Sequence, residues 1–147
     1  MKKCIVIVVL AILNLFGSTK ICAQSDYNAR KAAEYTREAE YYQKKADGYR
    51  REAEYYQKKA EGYEREASYY LKKAEGYERE AAYYIKKGDS YNASSQSRYA
   101  KSVIDNYNTQ MRYAKSAWDN FRNQMRYASE ASEKASYYLR LAAQSMR

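Results

Sequence analysis

Residues 41–54 read YYQKKADGYRREAE, 55–68 read YYQKKAEGYEREAS and 69–82 read YYLKKAEGYEREAA. Residues 27–40 (YNARKAAEYTREAE) are a worn earlier copy, and 83–96 (YYIKKGDSYNASSQ) begin as another and then decay. Fourteen residues are two heptads. Ala recurs every seventh residue from Ala32 to Ala81, and a Tyr follows each Ala by three, from Tyr35 to Tyr84. Alternating steps of three and four place both sets on one face of a helix. The mean period of 3.5 favours a left-handed supercoil with a partner helix.

The position before each stripe Tyr makes the repeat fourteen rather than seven. It alternates as Tyr41, Gly48, Tyr55, Gly62, Tyr69, Gly76 and Tyr83. Each Gly costs about 1 kcal/mol of helix stability relative to Ala. Two readings of the glycines stand side by side: notches beside a neighbouring ring, or exposed positions where the cost is tolerated. Acidic-to-basic i,i+4 spacings (Asp47–Arg51, Glu61–Arg65, Glu75–Arg79, Glu40–Lys44, Glu54–Lys58) solubilise the outer face and favour the helix.

Outward from this block, the pattern fails after Lys87. Gly88 occupies an Ala position and small, turn-prone residues follow, so a turn is expected over 89–97. Asn92-Ala93-Ser94 matches a glycosylation acceptor at Asn92, meaningful after eukaryotic secretion. A second repeat block comes next: RYAKSVIDNYNTQM (98–111), RYAKSAWDNFRNQM (112–125) and a looser RYASEASEKASYYL (126–139). Its apolar stripe is expected to run through Ile104, Tyr107, Met111, Ala114, Trp118, Phe121, Met125, Ala128, Ala135, Leu139, Ala142 and Met146. The expected fold is all-α: a repeat helix over 24–88 and a second over 98–147, folded back as a coiled-coil-like hairpin or run on as a bent rod.

In the other direction lies Met1-Lys2-Lys3, a 13-residue run CIVIVVLAILNLF (4–16), then Gly17, Ser18 and Ile21-Cys22-Ala23. This is the layout of a secretory signal peptide over 1–23, with cleavage near Ala23. An uncleaved anchor is the alternative, but the run is short for a membrane span. Cleavage removes both cysteines and three of the 27 basic residues, leaving 24 against 18 acidic ones, a charge of +6. The mature chain is expected to be secreted, extracellular and free of disulfides and of a stable membrane span.

The 147 residues include no His, no Pro and 20 Tyr. Without His there is no Ser-His-Asp triad and no His metal site. The carboxylates are interleaved with bases at repeat positions, and no glycine-rich phosphate loop is present. These features argue against an enzyme, a bound cofactor or a metal. Polyanion or nucleic-acid binding is disfavoured because 18 acids break up the basic surface.

The motif with most chemical content is YYxKK, with a Lys three residues beyond each Tyr. The first Tyr of each pair (Tyr41, Tyr55, Tyr69, Tyr83) lies about 100° from the stripe and is expected to be accessible. The amines are Lys44, Lys45, Lys58, Lys59, Lys72, Lys73, Lys86 and Lys87. Tyr can be oxidised to a catechol and a quinone, an electrophile that an unprotonated amine attacks; these twelve residues are the candidate oxidation and cross-linking sites. The bland alternative is Lys stems laid over Tyr rings.

The secretory start, the Tyr-Lys richness and the repeated RYAKS…DN…QMRY blocks resemble the tyrosine-rich eggshell (vitelline) precursor proteins of flatworms. That resemblance implies a secreted structural precursor hardened by phenol-oxidase-dependent quinone tanning, with self-association or other helical matrix proteins as partners. The competing reading is a secreted coiled-coil interaction or surface protein without cross-linking.

Overall fold

The computed structural model describes the backbone of residues 2–146 and the side chains of residues 24–146. Two helices account for it, α1 (Lys2–Lys86) and α2 (Ser90–Ser145), with no strand among the described residues. The all-α expectation holds. The features expected of a signal peptide over 1–23 rest on side chains outside the described residues. Two compact units are formed, one from 47–128 and the other from 1–46 with 129–147.

In the 47–128 unit the helices form an antiparallel hairpin. Tyr49, Tyr63 and Tyr77 on α1 meet Tyr127, Tyr113 and Tyr99 on α2, so a step of fourteen up one helix is a step of fourteen down the other. The core between them is built of alanines. Ala53, Ala60, Ala67, Ala74 and Ala81 on α1 are buried, as are Ala93, Ala100, Val103, Ala114, Ala117 and Ala128 on α2. With one-carbon side chains at all of these positions but Val103, the helix axes can approach toward the close end of the roughly 8–10 Å range. Larger side chains are therefore displaced to the flanks. The stripe tyrosines sit there half-buried, their rings covering the seam.

That packing corrects the apolar stripe expected on α2. Both readings share the sevenfold positions Tyr107, Ala114, Phe121 and Ala128, which the structure extends back to Ala100 and Ala93, but their companions lie three residues on, not four. Gln96, Val103, Gln110, Ala117 and Gln124 are buried or half-buried, while Met111 and Met125 are exposed. The apolar Met looks like the better core residue, yet a seam of alanines takes the smaller neighbour. Ile104 and Trp118 are half-buried on the flank, and Trp118 Nε1 donates to Glu64 Oε1 on α1 at 2.8 Å.

The unit formed by 1–46 and 129–147 repeats the scheme. Ala32, Ala39 and Ala46 on α1 and Ala131, Ala135 and Ala142 on α2 are buried. Tyr138 lies against Tyr35 and Tyr42. Leu139 and Met146, expected in the stripe, are exposed here, and the half-buried companions are Tyr138 and Ser145, again three residues on from a buried Ala.

The turn is far shorter than 89–97. Only Lys87, Gly88 and Asp89 separate the helices, and residues 90–97 are helical. Gly88 has φ +75°, the left-handed conformation that glycine adopts without a Cβ penalty. Asp89 N–H donates to Tyr84 O at 3.0 Å and Gly88 N–H to Ile85 O at 3.0 Å, closing α1 with a Schellman motif. Asp89 then starts α2: its Oδ1 accepts from Asn92 N–H at 3.0 Å, and its own carbonyl accepts from Ala93 N–H at 3.1 Å. Those bonds from the Asn92 backbone and side-chain amides hold the Asp89 carboxyl below its usual range. The cap and the burial of Ala93 override the weak helix propensity of the Ser- and Asn-rich segment.

The two readings of the repeat glycines are also resolved. A Cβ at Gly48 or Gly76 would meet nothing within 4 Å, and at Gly62 only the Arg65 guanidinium at 4.0 Å. These glycines are not notches. On the outer face Asp47 pairs with Arg50 at 2.8 Å, Asp119 pairs with Arg122, and Gln57 Nε2 donates to Glu61 at 2.9 Å. Asp47 thus pairs with Arg50, three residues on, where the spacing predicted Arg51, four residues on.

Candidate functional site

The chemistry-bearing surface is a ladder of phenols along α1, supported by alternating partners. In the 47–128 unit, Tyr56 and Tyr70 are each packed by the preceding Tyr, edge to face, with centroids 5.3 and 5.5 Å apart. Tyr83 and Tyr84 repeat the arrangement at 5.5 Å. Where Gly replaces the preceding Tyr, the ring contact comes from the other helix. Tyr49–Tyr127, Tyr63–Tyr113 and Tyr77–Tyr99 have centroids 5.5, 5.4 and 5.6 Å apart and interplanar angles of 46°, 45° and 43°. Three rungs fourteen residues apart thus have nearly one geometry.

The sequence-predicted site residues fall where the helical arithmetic placed them. Tyr41, Tyr55, Tyr69 and Tyr83 are 57, 58, 60 and 52% exposed, while their stripe successors are half-buried. Lys44, Lys45, Lys58, Lys59, Lys72, Lys73, Lys86 and Lys87 are all exposed. The Lys that reaches a ring is the one four residues on, not three. Lys59 Nζ lies 5.7 Å from the Tyr55 centroid and Lys87 Nζ 4.6 Å from that of Tyr83. Asn92, the expected glycosylation acceptor, lies in the first turn of α2. Its side-chain amide nitrogen, the atom a glycan would occupy, donates to Asp89 Oδ2 at 2.6 Å.

Between the rungs lies a shallow cleft of about 100 Å³, lined by Tyr56, Lys59, Tyr63, Tyr113, Ser116, Ala117 and Asn120. It opens onto both the phenol ladder and an amine. In the other unit, Tyr41 packs on Tyr42 at 5.2 Å, Tyr42 stacks on Tyr138 at 5.6 Å and 9°, and Lys134 Nζ lies 5.4 Å from the Tyr42 ring. Burial, with smaller contributions from Tyr42, Glu38, Tyr137 and Tyr35, raises the pKa of the Tyr138 phenol.

The cross-helix rungs were not expected from sequence. Their signal was present in the matched fourteen-residue spacing of Tyr49, Tyr63, Tyr77 and of Tyr99, Tyr113, Tyr127, but only the register of the hairpin pairs them. Among the described residues, no group of three or more His, Cys, Asp or Glu could hold a metal ion. Within the same residues no helix is long and apolar enough to cross a membrane. Comparison with family models, curated proteins and solved structures finds no match to this chain.

Proposed function

We propose that the chain is a secreted structural matrix precursor that is hardened by oxidation of its phenols, an eggshell-like material and not an enzyme. The observation that carries the reading is the exposed first Tyr of each YYxKK motif, seated on a half-buried ring and flanked by exposed amines. A phenol oxidase using dioxygen would convert such a Tyr to its ortho-quinone, with one water released per dioxygen consumed. An unprotonated Lys amine then adds to the ring, forming a C–N bond and restoring a catechol. Links between chains would supply the cohesion that a thiol-free mature chain cannot obtain from disulfides. Self-association or other helical matrix proteins are the partners of this reading, and a phenol oxidase is its modifying enzyme.

The test is treatment with a phenol oxidase. The wild-type chain should become insoluble in denaturant, with catechol adducts at Tyr41, Tyr55, Tyr69 and Tyr83. Changing these four to Phe keeps the rings and should leave helicity intact while sharply lowering cross-linking. A wild-type chain that stays fully extractable would favour the second reading, a secreted coiled-coil interaction protein. The exposed apolar residues Leu71, Met111 and Met125 favour that reading.

A further inference from the structure

The geometry points to a second, separate modification: Tyr49–Tyr127, Tyr63–Tyr113 and Tyr77–Tyr99 are dityrosine sites that staple α1 to α2 within one chain. The argument begins with distance. Ring centroids at 5.4–5.6 Å lie within the contact range of aromatic pairs. The three tilts agree within a few degrees, so whatever one rung does the others can do. Each rung also joins an exposed phenol (Tyr99, Tyr113 or Tyr127) to a half-buried one. An oxidant reaches the first, and the helix holds the second beside it.

The step needs a one-electron oxidant, such as a haem peroxidase with hydrogen peroxide. Each phenol of a rung loses one electron and one proton to give a phenoxyl radical. The radicals couple through carbons ortho to the hydroxyls, and the two ring protons at those carbons move to the oxygens as aromaticity returns. Two ring C–H bonds are lost and one C–C bond is gained; the peroxide takes up the two electrons and two protons and leaves as two waters. No catechol or amine is involved, so the inference stands apart from quinone tanning.

The other ring pairs are poorer substrates for this coupling. Tyr55–Tyr56, Tyr69–Tyr70 and Tyr83–Tyr84 are neighbours in sequence at 64–70°, and their coupling would close a small strained ring through the backbone. Tyr42 and Tyr138 present faces rather than edges to one another. Burial also holds the Tyr138 phenol protonated to higher pH, and the phenolate is the more easily oxidised form.

The full chain, dilute enough to disfavour contact between copies, would be treated with a haem peroxidase and limiting hydrogen peroxide, and the monomer isolated and digested. Monomer carrying dityrosine fluorescence is expected, with two hydrogens lost per bridge and linked peptides joining Tyr49 to Tyr127, Tyr63 to Tyr113 and Tyr77 to Tyr99. The variant Tyr99→Phe/Tyr113→Phe/Tyr127→Phe should lose this monomer fluorescence severalfold. The variant Tyr41→Phe/Tyr55→Phe/Tyr69→Phe/Tyr83→Phe should keep it. Should the triple variant lose helicity, the single change Tyr113→Phe decides, since it should delete only the Tyr63–Tyr113 peptide. Bridges in other pairings, bridges only between chains, or undiminished fluorescence in the triple variant would overturn the inference. Failure of quinone tanning is read separately, as absence of catechol under a phenol oxidase.

Discussion

Replacing Gly48, Gly62 and Gly76 by Ala in one chain should stabilise it. Each position is inside α1, and a Cβ there meets open space or, at Gly62, one flexible guanidinium at 4.0 Å. The gain is then the helix-propensity difference, about 0.8–1.0 kcal/mol per site. The sites are fourteen residues apart, roughly 21 Å along the helix, so their effects should add. The sum is roughly 2.5–3 kcal/mol, which for a chain of this size is a rise of about 5–12 °C in Tm. Thermal and urea melts followed by circular dichroism would measure it. Gly88→Ala is the internal contrast, because φ +75° penalises any Cβ, by roughly 1–2 kcal/mol. An unchanged or lowered Tm in the triple variant would refute the reasoning and return the glycines to a close-packing role.

Ala60→Leu should cost about 1–3 kcal/mol, since a branched side chain at a fully buried seam position forces the helices apart; urea midpoints would show it. Gln110→Leu should stabilise, by about 1 kcal/mol or more, because the Gln110 Oε1 is buried without a hydrogen-bond partner, as are those of Gln96 and Gln124. Asp89 has a depressed pKa, so its contribution is present above the unfolded value of 3.8 and is lost as pH falls through the lower folded value; Asp89→Asn should keep the cap and flatten that acid limb of the Tm–pH profile. Tyr138 has a raised pKa, so stability should decline as pH rises from the unfolded value of 10.0 toward the folded one, a slope that Tyr138→Phe removes.

The fold was legible wherever a period was unambiguous. Ala32 through Ala81 and Tyr35 through Tyr84 fixed the buried face of α1, and the same arithmetic placed Tyr41, Tyr55, Tyr69 and Tyr83 outside it. On α2 the sevenfold set was legible, but its companion was not. Hydrophobicity favoured Met111 and Met125, whereas close packing selected Gln110 and Gln124, a choice that depends on helix separation. The turn was mislocated because Ser90–Ser97 looks turn-prone by propensity, and propensity does not register that Asp89 caps one helix while closing the other. The cross-helix phenol rungs needed a register that no single helix contains.

The three-residue turn has a consequence for assembly. Because both helices repeat every fourteen residues, sliding one past the other by fourteen would set Tyr63 against Tyr127 and Tyr77 against Tyr113, with most of the same partners. Within one chain that slide covers roughly 21 Å, and a connection of three residues reaches only about 11 Å when fully extended. The tight turn thus selects one of several nearly degenerate alignments. Between separate chains no such tether operates. Under the self-association proposed above, neighbours would add in steps of one repeat, giving ragged, overlapping polymers of no fixed length from a subunit whose internal alignment is unique.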